Sequence, residues 1–480
     1  MHGITVVEAA TNVVALRNAD SAIPCVIGTA PVHLGTVRDV GRPVIAYTYE
    51  EAAAQLGYSD DWKSYTLCEA MHVLFRVFGV TPVVFINVMD AKKHTEKVTN
   101  AQLDLTDTTK PVIRDSGILL DTLKIGAYTQ GTHYTAKHNA AGYVEITPID
   151  AEITDGTSVE YSKMDPDSVA ASDVLGGYDS ETGTSTGVEL VDDVYHVCGV
   201  TPATLLAPGW SHVSLVADAL DAKAKLYDNA FSAIAAVDIG VSEPKYGAVA
   251  EEARDTADTY VVQCWPCAPV DETRVAHRST IFAGMCASTD ADYAGIPYAS
   301  PSNRYVPLDG LCLEDGTTLS LNYKQANAVE NAGVYTAVRL DTWKAWGTYT
   351  SAVNASGDPK DIFIAVRRMM NWHKNTFVLN YFQKIDNPAD TRLVESLIDS
   401  ENKRIDGLKN IGAVAGGRMY FLAEDNPVGN LMAGKLRFRQ KLGFWVPARE
   451  IENIIEIDVE LLRNISEIDA ERLRNNLGGE

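Results

Sequence analysis

Long apolar runs, basic residues and cysteine are all scarce in this sequence of 480 residues. No uninterrupted apolar run reaches the roughly 18 residues that a membrane-spanning helix needs. The N-terminus also lacks the basic stretch and the apolar core of a secretory signal peptide. We therefore expect a chain that folds in a cytoplasm and does not insert into a membrane.

Acidic residues outnumber basic ones, with 64 Asp and Glu against 41 Lys and Arg, which gives a formal net charge of −23. A surface of this sign repels the phosphate backbone of nucleic acids over most of its area. Direct binding of DNA or RNA is therefore not expected.

The seven cysteines are an odd number spread thinly along the chain, unlike the dense, even sets that cross-link small secreted domains. We expect them to be reduced and mostly packed in the core as small apolar side chains. Hydrophobic residues make up 46% of the sequence and charged residues 22%, which is the composition of a folded globular protein. The length is typical of roughly two to four domains.

Apolar runs of strand length alternate with helical patterns in two separate parts of the chain. The first part contains the predicted strands 22–31, 43–49 and 82–89 and helices over 50–57 and 61–79. The second contains predicted strands in 204–209, 231–240, 259–265 and 333–340 and helices near 211–228 and 246–257. Two longer helices are predicted over about 360–385 and 388–410. This alternation predicts an α/β layer that the intervening residues split into two parts.

Residues 91–190 differ in composition from the rest of the chain. They are rich in Thr, Asp, Gly and Ser, their apolar segments are short and alternating, and no helix is predicted in them. They carry 8 basic and 16 acidic residues, a net charge of −8. We interpret this range as an inserted, solvent-exposed β-rich domain that ends in the acidic loop 176–187.

Three segments near the ends of the chain alternate in the way that strands do. Gly3–Glu8 is a short apolar strand, while one face of "KLRFRQKL" (435–442) is basic and one face of "IEIDVEL" (455–461) is acidic. Opposite charges that face each other across strands contribute roughly 0.2–1 kcal/mol per pair, so the two charged segments could pair within one chain or between chains. Simple solvation of both charged faces is the alternative. The charged residues are Lys435, Arg437, Arg439 and Lys441 in the first segment and Glu456, Asp458 and Glu460 in the second.

Three short motifs resemble catalytic signatures, and each has a plainer interpretation. "GNLMAGKL" (429–436) has Leu436 where a phosphate-binding loop needs Ser or Thr, and a strand rather than a helix is expected after it. Ser185 in "GTSTG" lies in an acidic loop instead of between a strand and a helix. Cys264 and Cys267 in "CWPC" lack a second ligand pair for zinc, so a packed core position is favoured over redox or metal chemistry.

The remaining candidates are aromatic and imidazole side chains. Trp343 and Trp346 suit stacking on a ligand, but such a pair more often packs a domain junction. His72 and His212 are expected in helices, as packed or solvent-facing side chains. We therefore predict no catalytic, cofactor-binding or metal-binding residue and no cofactor. A soluble α/β enzyme that uses Ser185 or the two "CWPC" cysteines, and a module that binds a surface, remain the alternatives.

Five segments along the chain occur in the order in which one known family has them. They are "MHGITVVEAATNVVALRNADSAIPCVIGTAP" (1–31), "GRPVIAYTYEEAAAQLG" (41–57), "NAGVYTAVRLDTWKAWGTYT" (331–350), "VRRMMNWHKNTF" (366–377) and "LMAGKLRFRQKLGFWVPAREIENIIEIDVEL" (431–461). Together they resemble the contractile tail sheath proteins of myophage-type phages, a family that extends to R-type bacteriocins and phage-like injection systems. The resemblance covers nearly the whole chain except residues 91–190, a range that varies in such proteins.

The resemblance implies a multidomain α+β organisation with a split α/β core, an inserted β-rich domain and a C-terminal α+β domain with strand-exchange arms. The implied parts are an N-terminal arm 1–20, core parts 21–90 and 191–350, the insertion 91–190, a tube-proximal domain 351–450, and a final strand and arm 451–480. In such sheaths the arms of one subunit complete sheets in its neighbours. Gly3, Ile4, Thr5, Val6, Val7 and Glu8 are then the donated N-terminal strand, and the two charged segments supply the rest of the exchanged sheet.

The function that the resemblance implies is mechanical and not enzymatic. Hexameric rings of the protein would stack helically around a tail tube and rearrange into a shorter, wider helix, which drives the tube into a target cell. The implied partners are further copies of the chain, the tail tube protein, and baseplate and tail terminator proteins. The implied location is the virion tail, after assembly in the cytoplasm of a bacterial host. Residues 388–410 are the candidate helix that faces the tube.

Overall fold

The computed structural model describes residues 18–103, 111–139, 141–149, 153, 156–459, 461 and 474. Contacts divide the chain into two compact units, Met1–Val446 and Pro447–Glu480. The predicted donor strand Gly3–Glu8 and the predicted site residue Glu460 lie outside the described residues.

An eight-stranded sheet forms the centre of the first unit. In chain order its strands are β1 (Pro24–Gly28), β2 (Val44–Ala46), β3 (Val83–Asn87), β4 (Thr204–Leu206), β5 (Ile234–Asp238), β6 (Val261–Cys264), β7 (Val334–Arg339) and β8 (Trp343–Trp346). Their order across the sheet is β2-β3-β1-β4-β5-β6-β7-β8, and all neighbours are parallel except at the antiparallel edge strands β2 and β8. Every residue of β1, β3 and β5 is buried, as expected for parallel strands that are covered on both faces. The predicted split α/β core is therefore confirmed.

The helices are numbered in chain order like the strands. Those that carry a label are α1 (Tyr49–Leu56), α2 (Thr66–Ala70), α3 (Ser214–Lys225), α4 (Tyr246–Arg254), α5 (Arg278–Asp292), α6 (Tyr323–Glu330), α7 (Ile364–Tyr381), α8 (Thr391–Asn410) and α9 (Val428–Met432). The short helices Ala171–Leu175, Val194–Cys198 and Pro359–Ile362 carry no label. Helix α2 continues directly into a π-helix, Met71–Val77, in the range 61–79 that is predicted to be helical. Leu67, Met71 and Leu74 of these two elements are fully buried. The sequence does not indicate α5, because all residues from Arg278 to Cys286 are buried and leave that stretch without a polar face.

Two three-stranded antiparallel sheets occupy the middle of the predicted insertion. The first places Ser158–Met164 between Thr95–Gln102 and Lys124–Ile125, and the second places Val144–Pro148 between Val112–Ile113 and Tyr134–His138. Buried side chains between Leu103 and Tyr161 form an apolar cluster that is separate from the main core. By contrast, Val174, Val188 and Leu190 pack in the main core. The packing thus favours an insertion that ends earlier than residue 190.

Some local predictions are wrong. The helix Ala171–Leu175 and the 3-10 helix Gly187–Asp193 fall in a range predicted to contain no helix, and the predicted loop 176–187 contains a hairpin of Gly177–Asp179 and Thr184–Thr186. These elements are too short to show an apolar period in the sequence. His212 lies in the turn before α3 and is not in a helix.

The seven cysteines are free thiols, and all except Cys198 are buried, as the sequence predicts. No helix among the described residues combines the length and the apolar character that crossing a bilayer requires.

Because the insertion has its own apolar cluster, we expect that its local stability can be lowered without lowering that of the main sheet. Ile146 is fully buried in it, so Ile146→Ala should cost about 2–5 kcal/mol locally. Hydrogen exchange measured by mass spectrometry should then rise in Ser158–Met164 and stay unchanged in β3. Val84→Ala in β3 is the matched control and should loosen the main sheet. Equal loss of protection in both parts after Ile146→Ala would contradict the prediction.

Candidate functional site

A two-stranded antiparallel sheet lies near the C-terminal end of the first unit. It pairs β9 (Gly416–Tyr420) with β10 (Arg439–Gly443), so that Arg418 is opposite Lys441. Within the described residues, the outer edge of each strand has no partner strand. Two short strands are marginally stable by themselves in water, and their open edges can accept further strands.

The four predicted basic residues are all exposed. Lys435, Arg437, Arg439 and Lys441 alternate with the half-buried Leu436, Phe438, Gln440 and Leu442, which confirms the predicted two-faced pattern. The strand itself starts at Arg439, so the predicted start at Lys435 is wrong. The Asn426 side chain binds both the N–H and the C=O of Arg437 at 2.8 Å, which takes these backbone groups away from strand pairing.

The sheet of β9 and β10 is called the hairpin from here on. Its basic residues differ in whether an acidic side chain of the same chain forms an ion pair with them. Arg439 forms an ion pair with Asp425 at 2.6 Å, and Arg418 forms one with Asp406 at 2.6 Å. Lys441 is directly opposite Arg418, which places two like charges across the pair of strands. An acidic strand that added to the edge of β10 would relieve this repulsion.

The described part of the C-terminal unit leaves its apolar side chains in water. Residues 451–458 have no regular secondary structure, so the predicted strand 455–461 is not formed in the single chain. The side chains of Ile455, Ile457 and Val459 are 83%, 85% and 61% exposed, and Glu456 and Asp458 are exposed as well. A strand needs backbone partners, and an alternating segment of this kind gains partners and burial by adding to an open sheet edge.

A buried polar cluster attaches β10 to the long helices α7 and α8. Arg404 donates to His373 Nδ1 at 2.8 Å, so Nε2 carries the proton and donates to Gln440 Oε1 at 2.6 Å. Arg404 also pairs with Glu401, which accepts a hydrogen bond from the Tyr381 hydroxyl at 3.0 Å. Burial, together with the Arg404 charge, lowers the pKa of His373 to about 4. The cluster therefore holds a neutral histidine under the hairpin.

The carboxyl edge of the parallel sheet is the place where enzymes of this architecture bind ligands. Here it holds a polar network in which Asp238 accepts from the hydroxyls of Ser211 and Ser279 at 3.2 and 2.5 Å. Glu69 accepts from the His277 ring at 2.7 Å. The two serines therefore donate to a carboxylate while the histidine binds a different one, which is not the serine–histidine–carboxylate relay of a hydrolase.

The sequence motifs that resemble catalytic signatures have surroundings that do not suit catalysis. Cys264 and Cys267 are buried, and burial raises the pKa of Cys267 to about 12. Ser185 lies in a hairpin strand, and Trp343 and Trp346 belong to the edge strand β8. "GNLMAGKL" overlaps the last four residues of α9 and precedes β10. In the part of the chain that the structure describes, no group of three His, Cys, Asp or Glu side chains could hold a metal ion.

Comparison with known proteins gives two relatives of one kind. The chain is 24% identical to the tail sheath protein of Burkholderia phage BcepMu over 495 aligned positions, which cover 96% of this chain and 98% of the phage protein. It is 28% identical over 298 positions to a protein described as a prophage major tail sheath protein of Pseudomonas aeruginosa strain UCBPP-PA14, covering 60% of this chain and 72% of that protein. No protein-family model matches the sequence.

The fold is also similar to that of a solved sheath. The sheath complex of the extracellular contractile injection system PVC, in its contracted state, matches with a TM-score of 0.58 at 12% sequence identity. The match covers 96% of this chain and 98% of the other. The sequence relatives and this fold together confirm the resemblance to contractile tail sheath proteins that the five sequence segments indicate.

The lowered pKa of His373 predicts a pH dependence with a definite sign. The unfolded chain binds a proton at this histidine below about pH 6.5 and the folded chain only near pH 4, so stability should fall as the pH drops between these values. The shift corresponds to about 3 kcal/mol. In His373→Gln the free energy of unfolding, measured by denaturant titration from pH 7 to 4, should vary less with pH. His212→Gln, in an exposed turn, is the control; an unchanged slope in His373→Gln would contradict the prediction.

Proposed function

We propose that this chain, a homologue of contractile tail sheath proteins, is the structural subunit of a contractile tail sheath. The observation that carries the proposal is the two-stranded sheet β9–β10 with its open edges, together with the exposed alternating segment at 455–459. The sheet has unpaired edges, and the C-terminal segment has the pattern of a strand but no partner strand among the described residues. A polymer in which copies exchange strands satisfies both needs.

Strand exchange links each copy to its neighbours through opposite charges. The acidic C-terminal segment of one copy adds to the basic hairpin of another, and the N-terminal strand Gly3–Glu8 of a third copy fills a remaining edge. Each pair of facing opposite charges adds roughly 0.2–1 kcal/mol and favours one register over its alternatives. The acidic residues are Glu456, Asp458 and Glu460, and the basic residues are Lys435, Arg437, Arg439 and Lys441.

The assembly that follows is a stack of hexameric rings around a tail tube. Helix α8 faces the tube with a surface of mixed charge that includes the exposed Arg392, Glu395, Asp399 and Lys403. The acidic insertion lies on the outside of the sheath. Baseplate and tail terminator proteins lie at the two ends of the stack. The sheath is assembled in the cytoplasm of a bacterial host and becomes part of the virion tail.

Contraction uses no nucleotide, cofactor or catalytic residue. The work comes from repacking between an extended arrangement and a shorter, wider one. A gain on the order of a few kcal/mol per subunit becomes a large total when many subunits are coupled. The exchanged arms keep neighbours attached while the cores slide and rotate.

Removing the N-terminal arm should separate folding from assembly. Deletion of residues 1–17 leaves every described residue in place, so we expect a folded monomer with an unchanged circular dichroism spectrum and no long polymers in negative-stain micrographs. Tubes of normal length from the shortened chain would contradict the assignment of Gly3–Glu8 as a donated strand.

Reversing the charges of the hairpin should block assembly, and a complementary reversal should restore it. Arg439→Glu with Lys441→Glu replaces the two exposed basic residues of β10 by acidic ones that would repel the acidic segment, so the fraction of protein that sediments as polymer should drop sharply. Adding Glu456→Lys and Asp458→Lys to the same chain should recover much of that fraction.

The control for charge alone is Lys324→Glu, at an exposed position of α6 away from the hairpin strands. It should leave polymer formation unchanged. Failure of the complementary pair to recover any polymer, with both variants folded, would contradict pairing between the two charged segments.

A further inference from the structure

The first described residues of the chain are held by one face of α7. The backbone N–H of Ala19 donates to the Thr376 hydroxyl at 3.0 Å, and the indole N–H of Trp372 donates to the backbone C=O of Ala19 at 2.9 Å. The guanidinium of Arg368 donates to the backbone C=O of Ser21 at 3.1 Å. Helix α7 therefore holds Ala19 and Ser21 through their main-chain atoms.

The three side chains that make these bonds recur at intervals of four along α7. Arg368, Trp372 and Thr376 thus lie on one face of the helix over about two turns, and each is almost completely buried. Because water cannot replace a broken bond at a buried position, each rupture leaves an unsatisfied polar group. We call this face the arm anchor.

The arm anchor is connected to the rest of the first unit. Arg368 binds both carboxylate oxygens of Asp290 in α5, at 3.0 and 2.6 Å, and both side chains are 2% exposed. On the other side, Asp20 accepts from the backbone N–H of Thr201 at 3.1 Å, and its own N–H donates to the Thr201 hydroxyl at 3.3 Å. Thr201 precedes the central strand β4. The segment 19–21 is therefore tied at once to two helices and to the sheet.

We propose that the arm anchor is the point at which tension in the N-terminal arm enters the body of the subunit, with a second copy of this chain as the partner that pulls. This inference rests on the proposed function, since the tension arises when a neighbour holds the donated strand. The bonds to Ala19 and Ser21 stop the arm from peeling off α7. The Arg368–Asp290 ion pair passes the force on to α5.

The test removes two bonds of the arm anchor without removing a buried charge. In Thr376→Val with Trp372→Phe, hydrogen exchange of the peptide that spans residues 18–24 should become about ten-fold faster. Polymers should still form, but they should break into several-fold shorter pieces when sheared through a narrow needle.

The matched control is Thr350→Val with Trp265→Phe. The buried Thr350 hydroxyl donates to the backbone C=O of Asp361 at 2.6 Å, and Trp265 donates to the backbone C=O of Gly240 at 3.1 Å, so the control also loses two buried hydrogen bonds to main-chain groups, elsewhere in the fold. This control should leave exchange at 18–24 and fragment length unchanged.

Exchange and fragment lengths equal to those of the control would overturn the arm anchor while leaving the proposed function intact. Absence of polymer from the unaltered chain would instead overturn the proposed function, so the two failures are distinguishable.

Discussion

The unpaired strand edge is the constraint on which this structure depends. Backbone N–H and C=O groups at the edge of a sheet can form hydrogen bonds with a further strand. The hairpin of two five-residue strands has two such edges. The same molecule has a C-terminal segment with alternating isoleucines in water and no strand of its own to pair with in the described residues. Each feature is a liability in an isolated chain. The proposed strand exchange would make them complementary halves of one interface.

The remainder of the first unit supports this use of its ends. The eight-stranded sheet is covered on both faces, and its carboxyl edge carries internal hydrogen bonds centred on Asp238 and Glu69. A rigid body of this kind can move as a whole while its terminal segments stay attached to neighbours. The His373 cluster fixes the hairpin to α7, and the arm anchor uses the same helix to fix the start of the described chain. Helix α7 therefore contacts both the hairpin and the start of the described chain, the two parts that the proposed function assigns to strand exchange.

The sequence predicts the regular parts of the fold well because their signals are local. Continuous apolar runs locate β1, β3 and β5, and helical periodicity locates α7 and α8. It misses α5, which has no polar face over its buried stretch, and it places the start of β10 too early, because Asn426 takes the backbone of Arg437 from a distance in sequence. The His373 cluster and the arm anchor join segments far apart in the chain, so no local pattern could show them. The alternation of charges at 435–442 is the one signal from which the open hairpin could be anticipated.

Cross-linking between two singly substituted chains is a direct test of strand exchange between the hairpin of one copy and the C-terminal segment of another. Lys441→Cys and Asp458→Cys are each introduced into a Cys198→Ala background, because Cys198 is the native thiol that is not buried. The two variants are co-assembled and treated with a short bismaleimide, and a covalent dimer that forms only in the mixture joins the hairpin of one copy to the C-terminal segment of another. The account predicts a dimer in the mixed polymer and little in polymers of either variant alone. Polymers that form normally from the mixture without this dimer would contradict it.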